Sequence, residues 1–375
     1  MGLIMKNIFS IFFITILILP LQSCKNNYHK DGEKMKNSND ETEKLKKLFK
    51  NTKTLCFGRY VVTVPSEANL IVGDAALEVI IGGLNARTRK IKEEIEKIKW
   101  TDETADFTYN DKGPIEGSWQ FRYYEDELSK KYKLHFFRTF VTKDDFTFIM
   151  GDSVRNGESQ SATEARQFVK ANGIRIRQPE EIPQDPGLCV EHGFLAKNNY
   201  AEQEIDDVGL YLPSFPDITF SISSNKDAYG DYSPADFETE MRKELSLLNR
   251  IQGAKDIQGS SYPKRTLLRE GKRAVQHWKG EESLIRRADG VHDFEWALVG
   301  KPRDIANPSV LEVKMYTKVA HNMVGAAEAA SLTDDEAIAL WDKLLSSLKF
   351  RVKVPGAPPS SYYIDPEKSE PPPVR

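Results

Sequence analysis

The sequence predicts an α+β protein with two related domains, each an antiparallel sheet with packed helices. The chain has 375 residues, and a folded domain typically contains about 100–200 residues, so two domains are expected. Segments in which apolar and polar residues alternate are interspersed with segments of helical periodicity. Residues 179–187 contain three prolines and separate the two halves, which is typical of a domain linker.

The two halves share an order of elements. Each begins with a cysteine-bearing segment and ends with a helix that leads into a strand of alternating apolar and basic residues. These closing strands are residues 174–177 and 348–351. The shared order predicts related domains at residues 54–178 and 188–353, although the similarity is one of pattern and not of identical residues.

The first half shows both strand and helix patterns. Residues 54–65 are rich in β-branched residues and end at a proline, which predicts a strand. In residues 85–100, Ile91, Ile95 and Ile98 recur at helical spacing, with Lys and Glu on the other face. The remaining predicted elements are strands at 77–81 and 146–150, a hairpin of 118–124 and 132–142, a helix at 163–171 and a strand at 174–177.

The second half is richer in strands. Serine is a favoured N-cap and proline fits the first helical turn, so Ser233 and Pro234 predict a helix through residue 248. Thr333 and Glu336 form a Thr-x-x-Glu capping box, which predicts a helix over residues 333–348. Strands are predicted at 217–223, 265–270, 272–278, 282–287, 294–298 and 310–317.

Two further segments are predicted to lie outside the domains. Residues 24–53 contain little to bury, which is typical of a flexible tether spanning roughly 25–30 Å, with a short helix possible over 41–49. Residues 354–375 contain seven prolines. These prolines predict an extended tail that packs neither as a sheet nor as a helix.

The N-terminus has the pattern of a secretion signal. Lys6 precedes an uncharged apolar run at residues 8–21, which as a helix would rise about 21 Å and is too short for a ~30 Å hydrocarbon core. The run ends in Leu-Gln-Ser-Cys at residues 21–24, which resembles a bacterial lipobox. We therefore predict a signal peptide at residues 1–23 and lipidation of Cys24. The alternative is an ordinary signal peptide with an incidental cysteine.

The predicted anchor implies a location. In lipoprotein signals the lipidated cysteine becomes the new N-terminus, and an aspartate after it is the usual inner-membrane retention signal. Lys25 follows Cys24 here, so we expect the protein to face the periplasm, lipid-anchored to the outer membrane. Two or three acyl chains, at about 0.8 kcal/mol per buried methylene, make such an anchor stable.

The composition excludes several classes of protein. There are 53 basic and 56 acidic side chains, giving a net charge of −3. This near-neutrality argues against a nucleic-acid partner, since phosphate binding requires a clustered basic surface. The N-terminal run is the sole long apolar stretch, so the sequence is not that of a multi-span membrane protein.

Cysteine usage allows one disulfide. If Cys24 is lipidated, Cys56 and Cys189 remain, and the periplasm is oxidising. A Cys56–Cys189 disulfide is therefore plausible and would close a loop of about 130 residues. The alternative is two buried free thiols that never meet, and spacing alone does not decide between the two.

One set of residues suggests catalysis. Ser153 follows Gly-Asp after a predicted strand, and Asp289 and His292 have an Asp-x-x-His spacing. This arrangement resembles that of SGNH esterases, with Ser153 as nucleophile, His292 as base and Asp289 as its orienting partner. However, the other sequence blocks of that family are missing. A turn at Ser153 and a hairpin at Asp289-Gly290 are the simpler interpretation.

The sequence predicts no metal site and no cofactor. The six histidines are scattered, and neither a His-Glu-x-x-His nor a Cys-x-x-Cys motif occurs. The acidic clusters at residues 204–207 and 281–282 could face a partner but are more typical of solvated loops. A set of aromatic residues at period-two spacing could be a binding platform but is more typical of a core: Trp119, Phe121, Tyr123, Phe136 and Phe140.

Several stretches resemble a known family, the immunity proteins that neutralise type VI secretion lipase effectors (the Tli family). The matching segments are LCFGRY at residues 55–60, the segment at 182–189 that ends in PGLC, FSIS at 220–223 and DDEAIALWDKLLSSL at 334–348. Together the similarity covers residues 54–353 and omits the tether and the tail.

The resemblance implies a function by binding. A neighbouring cell would inject a phospholipase into the periplasm, and the immunity protein would inhibit this effector by gripping it between or across its domains. Protection requires slow dissociation, so we expect a nanomolar or tighter complex that buries more than ~1,600 Å². The resemblance transfers no contact residues. The alternatives are an SGNH-like esterase using Ser153, Asp289 and His292, and a non-catalytic structural envelope lipoprotein.

Overall fold

The computed structural model describes residues 42–365, apart from 76, 156, 198, 227–245 and 320–329. The fold is α+β with antiparallel sheets, as predicted. The described residues belong to one compact unit. The predicted signal peptide, Cys24 and most of the predicted tether lie outside the described residues, as do residues 366–375 of the predicted tail.

The chain enters the fold earlier than expected. Helix α1 (Glu43–Leu48) packs through Leu45, which is fully buried in the main core, and Lys44 forms an ion pair with Glu336. The expectation that the whole of residues 24–53 is a solvated tether is therefore wrong for residues 42–53. An apolar side chain every three or four positions was enough to attach this segment.

The predicted strand at residues 54–65 is a hairpin. Strands β1 (Thr52–Phe57) and β2 (Tyr60–Pro65) pair antiparallel, with Phe57 opposite Tyr60. The turn contains Gly58 at φ +46°, a left-handed conformation that glycine adopts without steric cost. A Cβ atom at this position would overlap the carboxyl group of Asp206. The continuous β-rich sequence hid this two-residue turn.

The first large sheet has five antiparallel strands in the order β4-β8-β7-β6-β5. Helix α2 contacts strands β7 and β8, and helix α4 contacts β8. A short capped helix, α3, lies within the predicted hairpin. The elements are β4 (Glu78–Ile81), α2 (Gly83–Thr101), β5 (Asp106–Lys112), β6 (Ser118–Tyr124), α3 (Glu127–Lys131), β7 (Phe136–Lys143), β8 (Phe146–Ser153) and α4 (Gln160–Gly173).

The aromatic residues of this sheet are mainly core residues. Phe121 and Phe140 are fully buried and pack with Ile91 of α2. Trp119 and Tyr123 are partly buried against the same cluster. The core interpretation of this aromatic set therefore holds for the side chains under the helix.

The second large sheet has seven antiparallel strands in the order β14-β15-β16-β17-β13-β12-β3. The segments predicted as strands at 265–270 and 272–278 are largely one strand, β14, with a bulge between Leu267 and Arg269. The strands are β3 (Asn69–Val72), β12 (Ile205–Tyr211), β13 (Thr219–Asn225), β14 (Arg265–Val275), β15 (Trp278–Arg287), β16 (His292–Val299) and β17 (Val310–Tyr316).

Two helices accompany the seven-stranded sheet. The helix predicted over 233–248 lies mostly outside the described residues, and the structure has helix α5 at Leu247–Gln258. Helix α6 (Asp334–Ser346) confirms the predicted helix, including the reciprocal capping box of Thr333 and Glu336. Its buried face, with Trp341, packs on the sheet in the largest core of the described residues.

Two small sheets complete the fold, and each is a hairpin joined by a closing strand. Strands β10 (Gly187–Val190) and β11 (Gly193–Ala196) pair with β9 (Ile174–Ile176). In the same way β18 (Lys349–Phe350) pairs with the β1–β2 hairpin. The two closing strands recognised in the sequence therefore make equivalent pairings.

The two hairpins pack across the linker. Leu55, Phe57 and Val62 of β1–β2 belong to the core of the seven-stranded sheet. Leu188 and Leu195 of β10–β11 belong to the cluster beside the five-stranded sheet. Each hairpin thus completes the core of the other half, and packing divides the chain differently from the sequence order.

The first part of the tail is packed. Val354 and Ser361 are buried, Tyr362 forms a bridge with Phe350, and Pro359–Ser361 is a turn of 3₁₀-helix. The expectation of a wholly extended tail is therefore wrong for residues 354–365. Within the described part of the chain, no helix has the length and apolar character needed to cross a bilayer.

Candidate functional site

The two hairpins meet at a disulfide. The structure joins Cys56 of β1 to Cys189 of β10, with Cα atoms 5.8 Å apart. The backbone N–H of Gly58 donates to the carbonyl of Cys189, and the N–H of Cys189 donates to the carbonyl of Gly58, both at 2.8 Å. Val61 and Phe194 pack around the sulfur atoms. This contact fixes one domain against the other.

A buried ion pair lies beside the disulfide. Arg59, in the turn of β1–β2, donates two hydrogen bonds to Glu204, from Nε at 2.6 Å and from Nη2 at 2.7 Å. The two residues are only 1% and 4% exposed. Burial opposes ionisation of Glu204, but the hydrogen bonds from Arg59 more than offset this and lower its pKa. The pair holds the hairpin turn to the second half of the chain.

Further ion pairs extend from this pair into the first half. Lys197 lies 3.3 Å from Glu204 and 3.5 Å from Glu202. Lys170 of α4 lies 3.2 Å from Glu202 and 3.7 Å from Asp152 of β8. The chain of alternating charges connects the ends of both large sheets. Because Arg59 and Glu204 are buried and the other members are only partly exposed, the network is screened less by salt than a surface network.

The basic residue after each closing strand is also buried. Arg351 donates to the carbonyls of Pro183 and Gly187, and Arg177 donates to those of Gly193 and Val190. Burial lowers the pKa of both guanidinium groups, that of Arg351 to about 10. Each arginine therefore holds the loop or hairpin next to it by satisfying backbone carbonyls.

A cavity of about 340 Å³ lies beside the disulfide. Residues from both halves line it, including Leu55, Phe57, Val190 and Val208. Asp206 of β12 also lines the cavity, with its carboxyl group against Gly58. Burial, and then the negative charge of Glu204, raises the pKa of Asp206 to about 7.

A wider groove lies between α2 and the five-stranded sheet. Its volume is about 720 Å³, and Ser153 and Phe136 lie on its wall. Arg138 crosses the groove and donates to Glu94 from Nε at 2.7 Å and to Glu78 from Nη2 at 3.0 Å. These charged side chains on the wall of the groove are thus hydrogen-bonded to one another.

The residues of the suggested esterase triad are not brought together. The ring nitrogens of His292 lie 2.9 Å from Thr317 Oγ1 and 2.8 Å from Asp334 Oδ1. Asp289 accepts a hydrogen bond from the backbone of Val291. Ser153 lies in β8 of the five-stranded sheet, whereas His292 lies in β16 of the seven-stranded sheet. Both nitrogens of the proposed base are therefore occupied by other partners.

The described residues contain no group of three His, Cys, Asp or Glu side chains arranged to hold a metal ion.

Two family models match this chain. Residues 53–184 match the model described as Tle cognate immunity protein 4 N-terminal domain, and residues 181–353 match that of the C-terminal domain. The chain belongs to the Tle cognate immunity protein 4 family. Members of this family are immunity proteins and not enzymes, as the resemblance in the sequence implied.

Solved structures show the same fold. Apo immunity protein TplEi of the type VI secretion system of Pseudomonas aeruginosa matches with a TM-score of 0.61 at 23% identity, over 80% of this chain and 97% of that one. The structure described as the Tle4–Tli4 complex matches with a TM-score of 0.61 at 22% identity, over 80% and 98% of the two chains. No curated protein sequence matches this one.

Sequence reasoning missed the charged residues at the domain junction. The clusters at residues 204–207 and 281–282 were expected in solvated loops, but Glu204, Asp206 and Glu282 are buried. Residues 205–207 and 281–282 lie in strands, Glu204 directly precedes β12, and Glu282 pairs with Arg269 and Arg273. The strict alternation of Glu204, Asp206, Val208 and Leu210 was the available signal, since every second residue of a strand faces the same side.

Proposed function

We propose that this immunity protein binds a phospholipase effector delivered by type VI secretion and inhibits it by occupying its surface. The observation that carries the proposal is that both family domains match in order and together span residues 53–353. One structure with the same fold is described as a complex of Tle4 with Tli4, which supports a direct contact with the effector.

The domain junction suits an inhibitor that uses both domains. The disulfide, the Arg59–Glu204 pair and Arg177 each tie one half of the chain to the other, and Arg351 holds the linker beside them. Two surfaces held in a fixed arrangement lose less conformational entropy on binding than two freely jointed domains. We expect the effector to contact both domains and to bury more than ~1,600 Å² in total.

The proposed location is the periplasm, with a lipid on Cys24 anchoring the protein to the outer membrane. The lipobox-like sequence at residues 21–24 and Lys25 support this assignment. The pairing of Cys56 with Cys189 fits an oxidising compartment. An inhibitor anchored there would be close to the lipids that the effector attacks.

Protection of living cells tests the function. Candidate phospholipase effectors, sought among the genes next to this chain's gene, are directed to the periplasm of a sensitive strain, with and without this protein, and survival is counted. We expect full protection by the wild type and by Ser153→Ala, since no hydrolysis is involved. Failure to protect, together with no binding of the purified lipase, would overturn the proposal. Ester hydrolysis that is lost in Ser153→Ala would instead support the esterase.

A second experiment tests the anchor. Cys24→Ser should shift the protein from the outer-membrane fraction to the soluble periplasmic fraction while leaving its affinity for the lipase unchanged. Membrane retention of the variant would show that Cys24 is not the attachment site.

A further inference from the structure

One buried carboxyl group has no hydrogen-bond donor. Asp206 is 5% exposed, yet none of the described residues donates a hydrogen bond to its carboxyl oxygens. Arg59, in the hairpin turn, directs Nε and Nη2 to Glu204 instead, and its buried Nη1 has no hydrogen-bond acceptor among the described residues. Burying a polar group without a partner costs free energy, and such groups in folded proteins are usually paired.

The carboxyl group faces usable space. Asp206 lines the 340 Å³ cavity at the domain junction, which is within the range of small ligand sites, about 300–1,000 Å³. Its walls are largely apolar, but Asn69, Asp74 and Glu191 on its lining are exposed to solvent. A ligand could therefore enter from this side, past two further carboxylates.

The neighbouring cations are engaged elsewhere. Lys197 is paired with Glu202 and Glu204, and Arg177 directs its N–H groups to backbone carbonyls. The ring of His192 stacks on Phe146. Lys53 is half-buried on the lining. Four carboxylates line the same cavity, those of Asp74, Glu191, Asp206 and Asp207, so acidic groups outnumber the basic ones there.

We propose that this cavity is a binding site for an ammonium or guanidinium group carried on a short apolar stem. The apolar walls would cover the stem, and Asp206 would accept hydrogen bonds from the cation at the inner end. The source can be a lysine or arginine side chain of the effector, in which case the site rests on the proposed function, or a free small amine. A buried charged pair of this kind is favourable when its hydrogen bonds are satisfied.

The chemistry of the site is tested with the purified chain and two small probes. n-Butylammonium has the stem and charge of a lysine side chain, and n-butanol has a similar stem without the charge. In ¹⁵N-labelled protein we expect n-butylammonium to shift the amide signals of Gly58 and Val208 saturably, and n-butanol to leave them unchanged. Equal responses to both probes, or no saturable response, would overturn the proposal without requiring any variant.

Two variants locate the interaction. Asp206→Asn keeps the shape of the side chain but removes its charge, and should weaken n-butylammonium binding at least tenfold. Asp256→Asn, exposed on helix α5 and outside the cavity lining, should not change it. Because the pKa of Asp206 is raised to about 7, wild-type affinity should increase about tenfold from pH 6 to pH 8 as the carboxyl ionises. Unchanged binding by Asp206→Asn would contradict the site.

Binding measurements with the effector distinguish an effector side chain from a free amine as the source of the cation. If Asp206→Asn weakens binding of the lipase identified in the protection experiment at least tenfold, the occupant is an effector side chain. If lipase binding is unchanged while n-butylammonium still requires Asp206, the site stands and its occupant is a free amine. If the lipase does not bind the wild type at all, the proposed function fails, and the probe titration still decides the cavity.

Discussion

The two exchanged hairpins make equivalent pairings but differ at their turns. The β1–β2 turn carries Arg59, which is buried and bound to Glu204, whereas the β10–β11 turn carries Glu191 and His192, which remain accessible beside the cavity. Both hairpins pair with a closing strand that follows a helix. The same arrangement therefore serves as a buried attachment in one case and as an accessible wall of the cavity in the other.

The two hairpins also differ in the size of the core to which each contributes. The β1–β2 hairpin contributes Phe57 and Tyr60 to a core that includes Trp278 and Phe350. The β10–β11 hairpin contributes Leu188 and Leu195 to a smaller cluster that includes Phe148. The first hairpin should therefore matter more for stability of the whole chain, and the second for access to the junction.

The folding of isolated fragments is the most demanding test that each hairpin completes the core of the other half. A fragment of residues 77–196 with Cys189→Ser contains the five-stranded sheet and its borrowed hairpin, so it should fold and unfold cooperatively on heating, as measured by circular dichroism and calorimetry. A fragment of residues 54–178 lacks Leu188 and Leu195 and exposes the β1–β2 hairpin, so it should not fold. Cooperative unfolding of the second fragment alone would contradict the exchange.

Removing the buried turn contact should have the next largest effect. Arg59→Met removes both guanidinium hydrogen bonds of the buried Glu204 and leaves it only the ion pair with Lys197, so we expect a loss of about 3–5 kcal/mol in the free energy of unfolding, measured by urea denaturation. The matched control is Arg175→Met near the other hairpin, where the pair with Glu181 is 41% and 37% exposed. Its loss should be below about 1 kcal/mol, and similar losses at both sites would remove the distinction between the turns.

Breaking the link between the hairpins should cost somewhat less. Cys56→Ser with Cys189→Ser opens a cross-link between residues 133 apart in sequence. The loop-entropy model gives about 5 kcal/mol as an upper figure, and measured bridges typically contribute about 2–4 kcal/mol. We expect a loss in that range by denaturation under oxidising conditions. The wild type in reductant should approach the variant, and insensitivity of both would show that the bridge does not stabilise the junction.

The pH dependence of stability should show the smallest effect when it is measured over a single pH unit. The pKa of Asp206 is raised from 3.8 to about 7 in the folded chain, so between these values the folded state binds more protons than the unfolded state. Its contribution to stability is present below about pH 4 and is lost as the pH rises to about 7, by at most about 1.4 kcal/mol per pH unit. Asp206→Asn should remove this slope, while Asp207→Asn should retain most of it. An identical slope in wild type and Asp206→Asn would contradict the assignment.

Local patterns recovered many individual elements. The helix at Thr333 was recognisable because its capping box and apolar face lie within sixteen residues, and its bounds agree with α6. Long alternating strands were found for the same reason. The turn at Gly58 was missed, because its conformation depends on the backbone of Cys189 and the carboxyl of Asp206, which are distant in sequence.

By itself, the sequence determined the fold class, the immunity-protein family and the shared order of the two halves, since these depend on periodicity, caps and matching segments along the chain. Only the tertiary structure decided that each hairpin serves the opposite half, and that Arg59, Glu204 and Asp206 are buried together. The physical reason is that the β2–β18 pairing, the disulfide and the burial of the Arg59–Glu204 pair depend on partners more than 100 residues apart. An alternating strand shows that one face is buried, but not which segment covers it.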